Sequence, residues 1–138
     1  RRVLHGQIVE YDACPSSHTV AKPDGTYSYC ELRSNMPLDE YLKIAIPAHE
    51  RAKIEGTIEE ENTEPLFFVS CLTALTYTSF VQPTPVPADF NPRITFGRYF
   101  ESEGRLLLPV TLLCNHALVD GLHLSRFYEQ LKKRLEQF

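Results

Sequence analysis

Residues 115–121 read Asn115-His116-Ala117-Leu118-Val119-Asp120-Gly121, and they join the end of a long apolar run to the start of an amphipathic one. The order predicts that His116 lies at the end of a buried strand. Imidazole is the side chain whose ordinary pKa makes it a proton acceptor near neutral pH, so a general base is one interpretation of this position. A structural histidine is the commoner outcome for a lone histidine near a strand end. The surrounding sequence has to separate the two.

The segments on either side of His116 carry clear patterns. Upstream, Ile94 to Phe100 and Arg105 to Asn115 flank the turn residues Ser102-Glu103-Gly104, which predicts a β-hairpin with a short loop that contains glycine. Downstream of Gly121, apolar residues recur at helical spacing, which predicts an amphipathic helix. Its apolar face comprises Leu122, Leu124, Phe127, Leu131 and Leu135.

The earlier sequence predicts further strands and one helix. A helix is expected from Pro37 to Ile54, with Pro47 as a kink or interruption. These elements predict one α+β domain over 1–138, a mixed β-sheet with helices packed on one side. The strands are expected at 7–11, 18–21, 26–32, 65–71 and 75–80, and surface loops at 59–62 and at the proline-rich 82–92.

Composition narrows the class of partner. The 138 residues are 43% hydrophobic and 23% charged, which is typical of a globular domain. A net charge of -4 with scattered basic residues argues against nucleic acid and against an anionic membrane as partners. The basic run Lys132-Lys133-Arg134 is short enough for a solvated helix face. No apolar run approaches the roughly twenty residues that cross a bilayer, so we expect no membrane span.

The cysteines argue against a metal centre. There are four, Cys14, Cys30, Cys71 and Cys114, and they stand singly without a C-x-x-C pair. Zinc sites usually need such a pair, so we expect no metal. Free thiols of this kind are typical of a reducing compartment, which favours a cytoplasmic location.

Four motifs in order resemble one enzyme family, the chloramphenicol acetyltransferases, coenzyme A-dependent acyltransferases built around an H-x-x-x-D-G motif. His116 to Gly121 carries that motif itself. Residues 67–70 resemble the family's F-F-V-S strand, residues 77–80 its F-T-S-F segment, and residues 95–99 its T-M-G-K-Y segment. The family's opening third has no counterpart here, and the chain starts without methionine. We therefore expect the C-terminal part of such a catalytic domain.

The resemblance implies a reaction and a role for three residues. An acetyl group would pass from acetyl-CoA to a hydroxyl of a small molecule such as a chloramphenicol-like antibiotic. His116 would act as the general base that takes the hydroxyl proton. Ser70 would donate a hydrogen bond to the oxyanion of the tetrahedral intermediate, and Thr95 would hold an ordered water beside it. No covalent acyl-enzyme is implied.

The resemblance gives Asp120 and Gly121 structural roles at the site. In the family this aspartate pairs with an arginine of the N-terminal helix, and that arginine is not in this chain. A buried and unpaired Asp120 would be costly and would have a raised pKa. Gly121 fits the tight turn that begins the last helix. An ordinary turn glycine with no role at the site explains this residue equally well.

The resemblance also assigns binding residues and an assembly. Arg98 and Tyr99 match positions along the coenzyme tunnel, where a cation could meet CoA phosphates, although a solvated strand end fits nearly as well. Tyr27 lies near the position of a substrate-packing phenylalanine and makes the pocket more polar, and Phe68 is available as an apolar wall or as core. Ala74 replaces a frequent tryptophan beside the coenzyme. The family is a homotrimer whose histidine faces a pocket of the next subunit.

Two alternatives remain open at this stage. The first is another H-x-x-x-D-G acyltransferase, such as the catalytic core of a 2-oxoacid dehydrogenase complex. That class typically reads D-H-R before the same spacing, and Ala117 in place of arginine argues against it. The second is a non-catalytic relic that keeps the fold and assembles with a partner.

Overall fold

The computed structural model describes residues 1–57 and 62–137. The predicted loop at 59–62 falls outside these residues except for Asn62. Within the described part no helix has the length and apolar character to cross a membrane. In chain order the elements are β1 (Arg2–Leu4), β2 (Gln7–Val9), β3 (Ser16–Ala21), β4 (Tyr27–Leu32), α1 (Leu38–Glu55), β5 (Phe67–Leu72), β6 (Arg93–Gly97), β7 (Phe100–Ser102), β8 (Arg105–Leu107), β9 (Val110–Leu113) and α2 (Gly121–Leu135).

The main sheet has five strands in the order β4-β3-β5-β6-β9. Strand β5 is parallel to both of its neighbours, β3 and β6, whereas β4 and β9 are antiparallel to the strands they pair with. The sheet is therefore mixed, as predicted. The two short hairpins β1-β2 and β7-β8 stand outside it.

Both helices lie on one face of this sheet. Helix α1 packs its buried Ala45 and Ala52 against Val20 of β3 and Cys30 of β4, which form the core cluster of buried residues. Phe127 of α2 lines a cavity together with the sheet residues Phe67, Ile94 and Leu112. Side chains alternate between the two faces of a strand, and the register places these three on the same face as Val20. The prediction of an α+β sheet with helices on one side is confirmed.

Helix α1 continues through its proline. Pro47 lies inside an uninterrupted helix of 18 residues, two turns and a half after the helix begins. Proline lacks the N–H that would bond four residues back, but flanking turns can hold the helix when one face is packed. Of the two outcomes predicted at Pro47, a kink or an interruption, the interruption is therefore wrong, while the predicted helix itself is confirmed.

The predicted strand at 75–80 is also wrong. The chain turns at residues 73–74, where the Leu75 N–H donates to the carbonyl of Leu72 at 2.9 Å, and it then crosses the end of β6. Leu75 accepts a hydrogen bond from the Arg98 N–H at 2.7 Å. A Cβ atom on Gly97 would lie 2.5 Å from that carbonyl oxygen, so only glycine allows the crossing. Tertiary contacts override the β-propensity of the segment.

The predicted hairpin around Gly104 is confirmed in two parts. Strands β6 and β9 pair in antiparallel register from Arg93 opposite Leu113 to Phe96 opposite Val110. The chain leaves the sheet at residues 98–99 and 108–109, and β7 and β8 form a separate ribbon at the tip. Glu103 and Gly104, both with positive φ, make its two-residue turn.

His18 and His49 form a histidine pair between the sheet and α1. Nε2 of His18 lies 3.1 Å from Nδ1 of His49, and the rings are nearly parallel, with centroids 5.4 Å apart. Burial and the neighbouring His49 lower the pKa of His18 below its ordinary value of 6.5. The two histidines line a small cavity together with Tyr41 and Glu50 of α1. The Glu50 carboxylate binds Lys53 at 2.6 Å.

The pair predicts a stability that depends on pH. Because the folded state lowers the pKa of His18, the unfolded chain binds the proton first on acidification, and the free energy of unfolding falls as the pH drops below 6.5. The loss ends once the pH is below the folded-state pKa. Thermal melts at about pH 7.5 and about pH 5.5 should show the lower Tm in acid. His18→Phe should reduce this difference, and His5→Asn, in an exposed turn with φ of 51°, is the control. An unchanged difference in His18→Phe would contradict the assignment.

Candidate active site

Ser70 and Thr95 lie side by side in the centre of the sheet. They are direct register partners on the parallel strands β5 and β6. Alternation along the strands places both on the face opposite the helices. The structure thus brings together two of the three residues predicted to be catalytic, although they are 25 positions apart in sequence.

A cavity of about 380 Å³ opens over this pair. Its wall combines polar and apolar side chains, and the apolar ones include Phe68, which the resemblance assigned to the substrate pocket. The residues that line it are Ser17, Thr19, Tyr29, Phe68, Val69, Ser70, Leu72, Phe80, Gln82, Pro83, Arg93 and Thr95. Its size and mixed lining are those of a small-molecule site.

Thr95 is buried and hydrogen-bonded through its side chain, whereas the Ser70 hydroxyl is unengaged among the described residues. Thr95 is 1% exposed, and its hydroxyl accepts a hydrogen bond from the side-chain amide of Gln82. Its backbone carbonyl accepts from the Tyr77 hydroxyl at 2.8 Å. The half-buried Ser70 makes no side-chain hydrogen bond to any residue that the structure describes. Its hydroxyl is therefore available to a molecule in the cavity.

Charge in the cavity wall is neutralised. Both terminal nitrogens of Arg93 bind the carboxylate of Asp89, at 2.7 and 2.6 Å, and the guanidinium lies 5.2 Å from the centroid of the Phe68 ring. The hydrogen bond from Arg93 lowers the pKa of Asp89. A bidentate pair of this kind fixes both side chains, so the cavity presents hydroxyls and rings with little net charge.

The structure places His116 away from Ser70 and Thr95 within one chain. Strand β9 ends at Leu113, opposite the first residue of β6, and residues 116–118 form a turn beyond it in which His116 is exposed. The predicted position at the end of a buried strand is therefore wrong, because β9 is half-buried and stops three residues earlier. His116 is absent from the described lining of the cavity, and its imidazole has no hydrogen-bond partner among the described residues.

Asn115 shapes the turn that carries His116. Its side-chain amide donates to the backbone carbonyl of Asp89 at 2.9 Å, and its side-chain oxygen accepts from the Ala117 N–H at 3.0 Å. The loop that precedes β6 and the turn that follows β9 are thereby tied together. The imidazole consequently projects from a turn that Asn115 anchors to the loop before β6.

Asp120 does not behave as the buried, unpaired carboxylate that was expected. It is the N-cap of α2, where its carboxylate accepts from the His123 N–H at 3.2 Å and lies 2.6 Å from Nδ1 of the same residue. Its side chain is 56% exposed. The hydrogen bonds from His123, the backbone N–H first, lower the pKa of Asp120. Gly121 is the first residue of α2, and a Cβ atom there would meet no neighbouring atom within 4 Å.

The cap gives a prediction about α2. Asp120→Ala should lower Tm by a few degrees, because an N-cap side chain satisfies a free N–H of the first turn. Asp120→Asn should keep most of the stability, since asparagine caps about as well as aspartate. Thermal melts followed by circular dichroism measure both. Equal losses in the two variants would show that the negative charge matters more than the cap.

The other predicted binding residues lie outside the cavity. Arg98 and Tyr99 are exposed and follow directly after β6. They lie at the carboxyl end of this strand, whereas the His116 turn lies near its amino end. Tyr27 is 49% exposed on β4, and its ring meets that of Tyr29 edge to face. Tyr29, two positions further along the same strand, is the tyrosine that lines the cavity.

Sequence reasoning missed four polar lining residues: Ser17, Thr19, Gln82 and Arg93. The two on β3 could have been found from alternation, because Ser17, Thr19 and Tyr29 share one face of β3 and β4. Gln82 lies in a proline-rich loop, and no local pattern shows where such a loop folds. The predicted free thiols are confirmed, and within the described ranges no cluster of metal-ligating side chains occurs.

Comparison with known proteins identifies the family. The family model of chloramphenicol acetyltransferase matches residues 2–132. The chain belongs to the chloramphenicol acetyltransferase family. Chloramphenicol acetyltransferase 3 of Escherichia coli is 25% identical over 131 residues, which cover 92% of this chain and 62% of that protein. The chain thus spans less than two thirds of the length of this curated relative.

Solved structures agree on the fold. A chloramphenicol acetyltransferase superposes with a TM-score of 0.85 at 23% identity and covers 96% of this chain and 66% of its own. The truncated catalytic core of the 2-oxoacid dehydrogenase multienzyme complex from Thermoplasma acidophilum gives a TM-score of 0.68 at 20% identity, over 96% and 62% of the two chains. The predicted acyltransferase fold is confirmed, and these likenesses extend to the fold alone.

Proposed function

We propose that the protein transfers an acetyl group from acetyl-CoA to a hydroxyl of a small neutral molecule, in the manner of its family. The observation that carries the proposal is the pair Ser70 and Thr95, adjacent at the wall of a cavity of small-molecule size, with the Ser70 hydroxyl unengaged among the described residues. The membership of the chain in the family supports the reaction class.

The proposed chemistry needs a base and an oxyanion donor. His116 takes the proton of the acceptor hydroxyl, and the hydroxyl oxygen attacks the thioester carbonyl of acetyl-CoA. Ser70 donates its hydrogen bond to the oxyanion that forms, and the intermediate collapses by breaking the carbon–sulfur bond. The thiolate of coenzyme A leaves and takes the proton that His116 holds. No acyl-enzyme forms.

A second copy of the chain supplies the base in this proposal. His116 projects from an exposed turn and does not line the cavity of its own chain among the described residues. A cyclic trimer would place the histidine of one subunit over the cavity of the next, so each of the three sites would have two contributors. The anchored turn at Asn115 would hold the imidazole in a fixed direction.

Coenzyme binding is assigned to the carboxyl end of β6, at the other end of this strand from the His116 turn. Arg98 and Tyr99 follow β6 directly, two and three residues after the strand position that pairs with Cys71. The exposed guanidinium of Arg98 is suited to a coenzyme phosphate. The thioester would then reach Ser70 from the carboxyl ends of β5 and β6.

The test is a thiol-release assay with the full-length gene product, acetyl-CoA and a panel of alcohols and amines that includes chloramphenicol. We expect release of coenzyme A that depends on an alcohol. Turnover of amines with no turnover of any alcohol would overturn the acceptor class. No thiol release with any acceptor would favour a non-catalytic relic of the fold.

A further inference from the structure

Ser17 is a buried serine of β3 whose hydroxyl has no hydrogen-bond partner in the described part of the chain. The residue is 1% exposed, and it belongs to the lining of the cavity that holds Ser70. A buried hydroxyl left without a partner is destabilising and uncommon in native proteins. The cavity wall therefore contains a buried hydroxyl that can still form a hydrogen bond.

Two other buried serines show what is usual in this fold. The Ser16 hydroxyl donates to the Leu32 carbonyl at 3.3 Å, and the Ser28 hydroxyl donates to the Ala52 carbonyl at 2.6 Å. Both lie on the face that α1 covers, where the protein itself supplies the acceptor. Ser17 points to the other face, where the cavity lies.

We propose that Ser17 determines acceptor specificity by hydrogen-bonding a second, neutral polar group of the acceptor, away from the hydroxyl that is acetylated. The inference rests on the proposed function of the cavity as the acceptor site. It adds a requirement on the acceptor that neither the reaction nor Ser70 imposes.

The sheet register sets the span of such an acceptor. Ser17 of β3 is opposite Phe68 of β5, and Ser70 lies two residues after Phe68 on β5. One strand spacing and two residues of rise separate the Cα atoms of the two serines by roughly 8 Å. The acceptor therefore carries two polar groups about this far apart, with the ring of Phe68 facing the frame between them.

Charge and shape restrict the second group. A serine hydroxyl can donate and accept, so it fits a hydroxyl or an amide. The guanidinium of Arg93 is already paired with both carboxylate oxygens of Asp89, so its charge does not favour an anionic acceptor. Phe68 and Phe80 provide apolar surface for a flat frame. The expected acceptor is an aromatic alcohol with a hydroxyl or an amide at its far end.

Two matched probes test the inference. In 2-(4-acetamidophenyl)ethanol an amide stands across the ring from the alcohol, and in 2-(4-isobutylphenyl)ethanol an alkyl group of similar shape replaces it. Binding to the full-length protein is measured by calorimetry without acetyl-CoA. Ser17→Ala should weaken binding of the acetamido probe about tenfold and change binding of the isobutyl probe by less than about twofold. Equal effects on the two probes would overturn the inference.

Ser28→Ala is the matched control for loss of a buried serine hydroxyl. It should lower Tm, because the Ala52 carbonyl loses the shorter of its two hydrogen bonds and keeps the one from the Gly56 N–H, whereas Ser17→Ala should keep Tm or raise it. A fall in Tm with Ser17→Ala as large as that of Ser28→Ala would show that the Ser17 hydroxyl already has a partner, and would overturn the inference.

Steady-state kinetics separate this inference from the proposed function. With the acetamido probe as acceptor, Ser17→Ala should raise KM for the probe about tenfold and leave kcat and the KM for acetyl-CoA unchanged. Turnover with no probe-specific change in KM would refute the role of Ser17 alone. Wild type that binds the acetamido probe through Ser17 but releases no thiol would refute the proposed reaction alone. Wild type that binds neither probe would refute the inference about Ser17 and the acceptor alone, because turnover of the other alcohols in the panel still tests the reaction.

Discussion

His116→Ala should lower kcat for acetyl transfer by about 10²–10⁴-fold, the usual contribution of a positioned general base. The alcohol would have to lose its proton to water, while the cavity and Ser70 remain in place. The imidazole is exposed and has no hydrogen-bond partner among the described residues, so its removal should leave Tm unchanged. Coupled thiol release gives kcat, and thermal melts verify the fold.

His123→Gln is the control for the loss of a histidine from the same region. Glutamine at the third residue of a helix can reach back to the N-cap as His123 does, so α2 should keep its start. We expect kcat close to that of wild type. Free imidazole added to His116→Ala should restore part of the rate. Activity of His116→Ala within about tenfold of wild type would remove His116 as the base.

Ser70→Ala should lower kcat by about 10²–10³-fold, as loss of one oxyanion donor does. The KM for acetyl-CoA should change little, because the hydrogen bond is made to the intermediate and not to the ground-state thioester. The Ser70 hydroxyl makes no hydrogen bond to any described residue, so the variant should fold normally. Steady-state kinetics with varied acetyl-CoA separate the two parameters.

Ser125→Ala serves as the control for a serine hydroxyl remote from the cavity. Ser125 lies on α2, where its hydroxyl donates to the Gly121 carbonyl at 3.0 Å. Its loss should leave kcat and both KM values unchanged. A raised KM with an unchanged kcat in Ser70→Ala would contradict the role of Ser70 as an oxyanion donor.

Regular elements were predictable because their periodicity is local. The half-buried Leu124, Phe127 and Leu131 recur at helical spacing and identify α2 from the sequence alone. The helix cap was predictable too. Asp120 directly before an amphipathic run is a common N-cap signal, and it needs no distant arginine to explain it.

Long-range contacts account for the elements that the sequence did not reveal. Leu75 to Phe80 has the composition of a strand, but Gly97 leaves room for the segment to cross β6, and Tyr77 bonds the carbonyl of Thr95. Composition reports the local preference alone. The unmet hydrogen bond of Ser17 is likewise invisible until burial and partners are known, because a serine in a strand is unremarkable by itself.

Placement of His116 shows the same limit at the scale of the whole molecule. The motif His116 to Gly121 singles out the residue, and its imidazole is the proposed base. Its distance from the cavity follows from where β9 ends and from the turn that Asn115 anchors. A site shared between copies would satisfy both observations, whereas a site within one chain would leave His116 remote from Ser70.

Complementation between two inactive variants tests this shared site most directly. His116→Ala and Ser70→Ala, co-expressed at equal levels with different tags and purified by both, should recover activity that neither variant has alone. Purification by both tags leaves only rings that contain both variants, and in such a three-membered ring one site, about a third of the total, joins an intact His116 to an intact Ser70. We predict recovered activity of that order. A co-expressed sample no more active than the two separate variants would contradict the account.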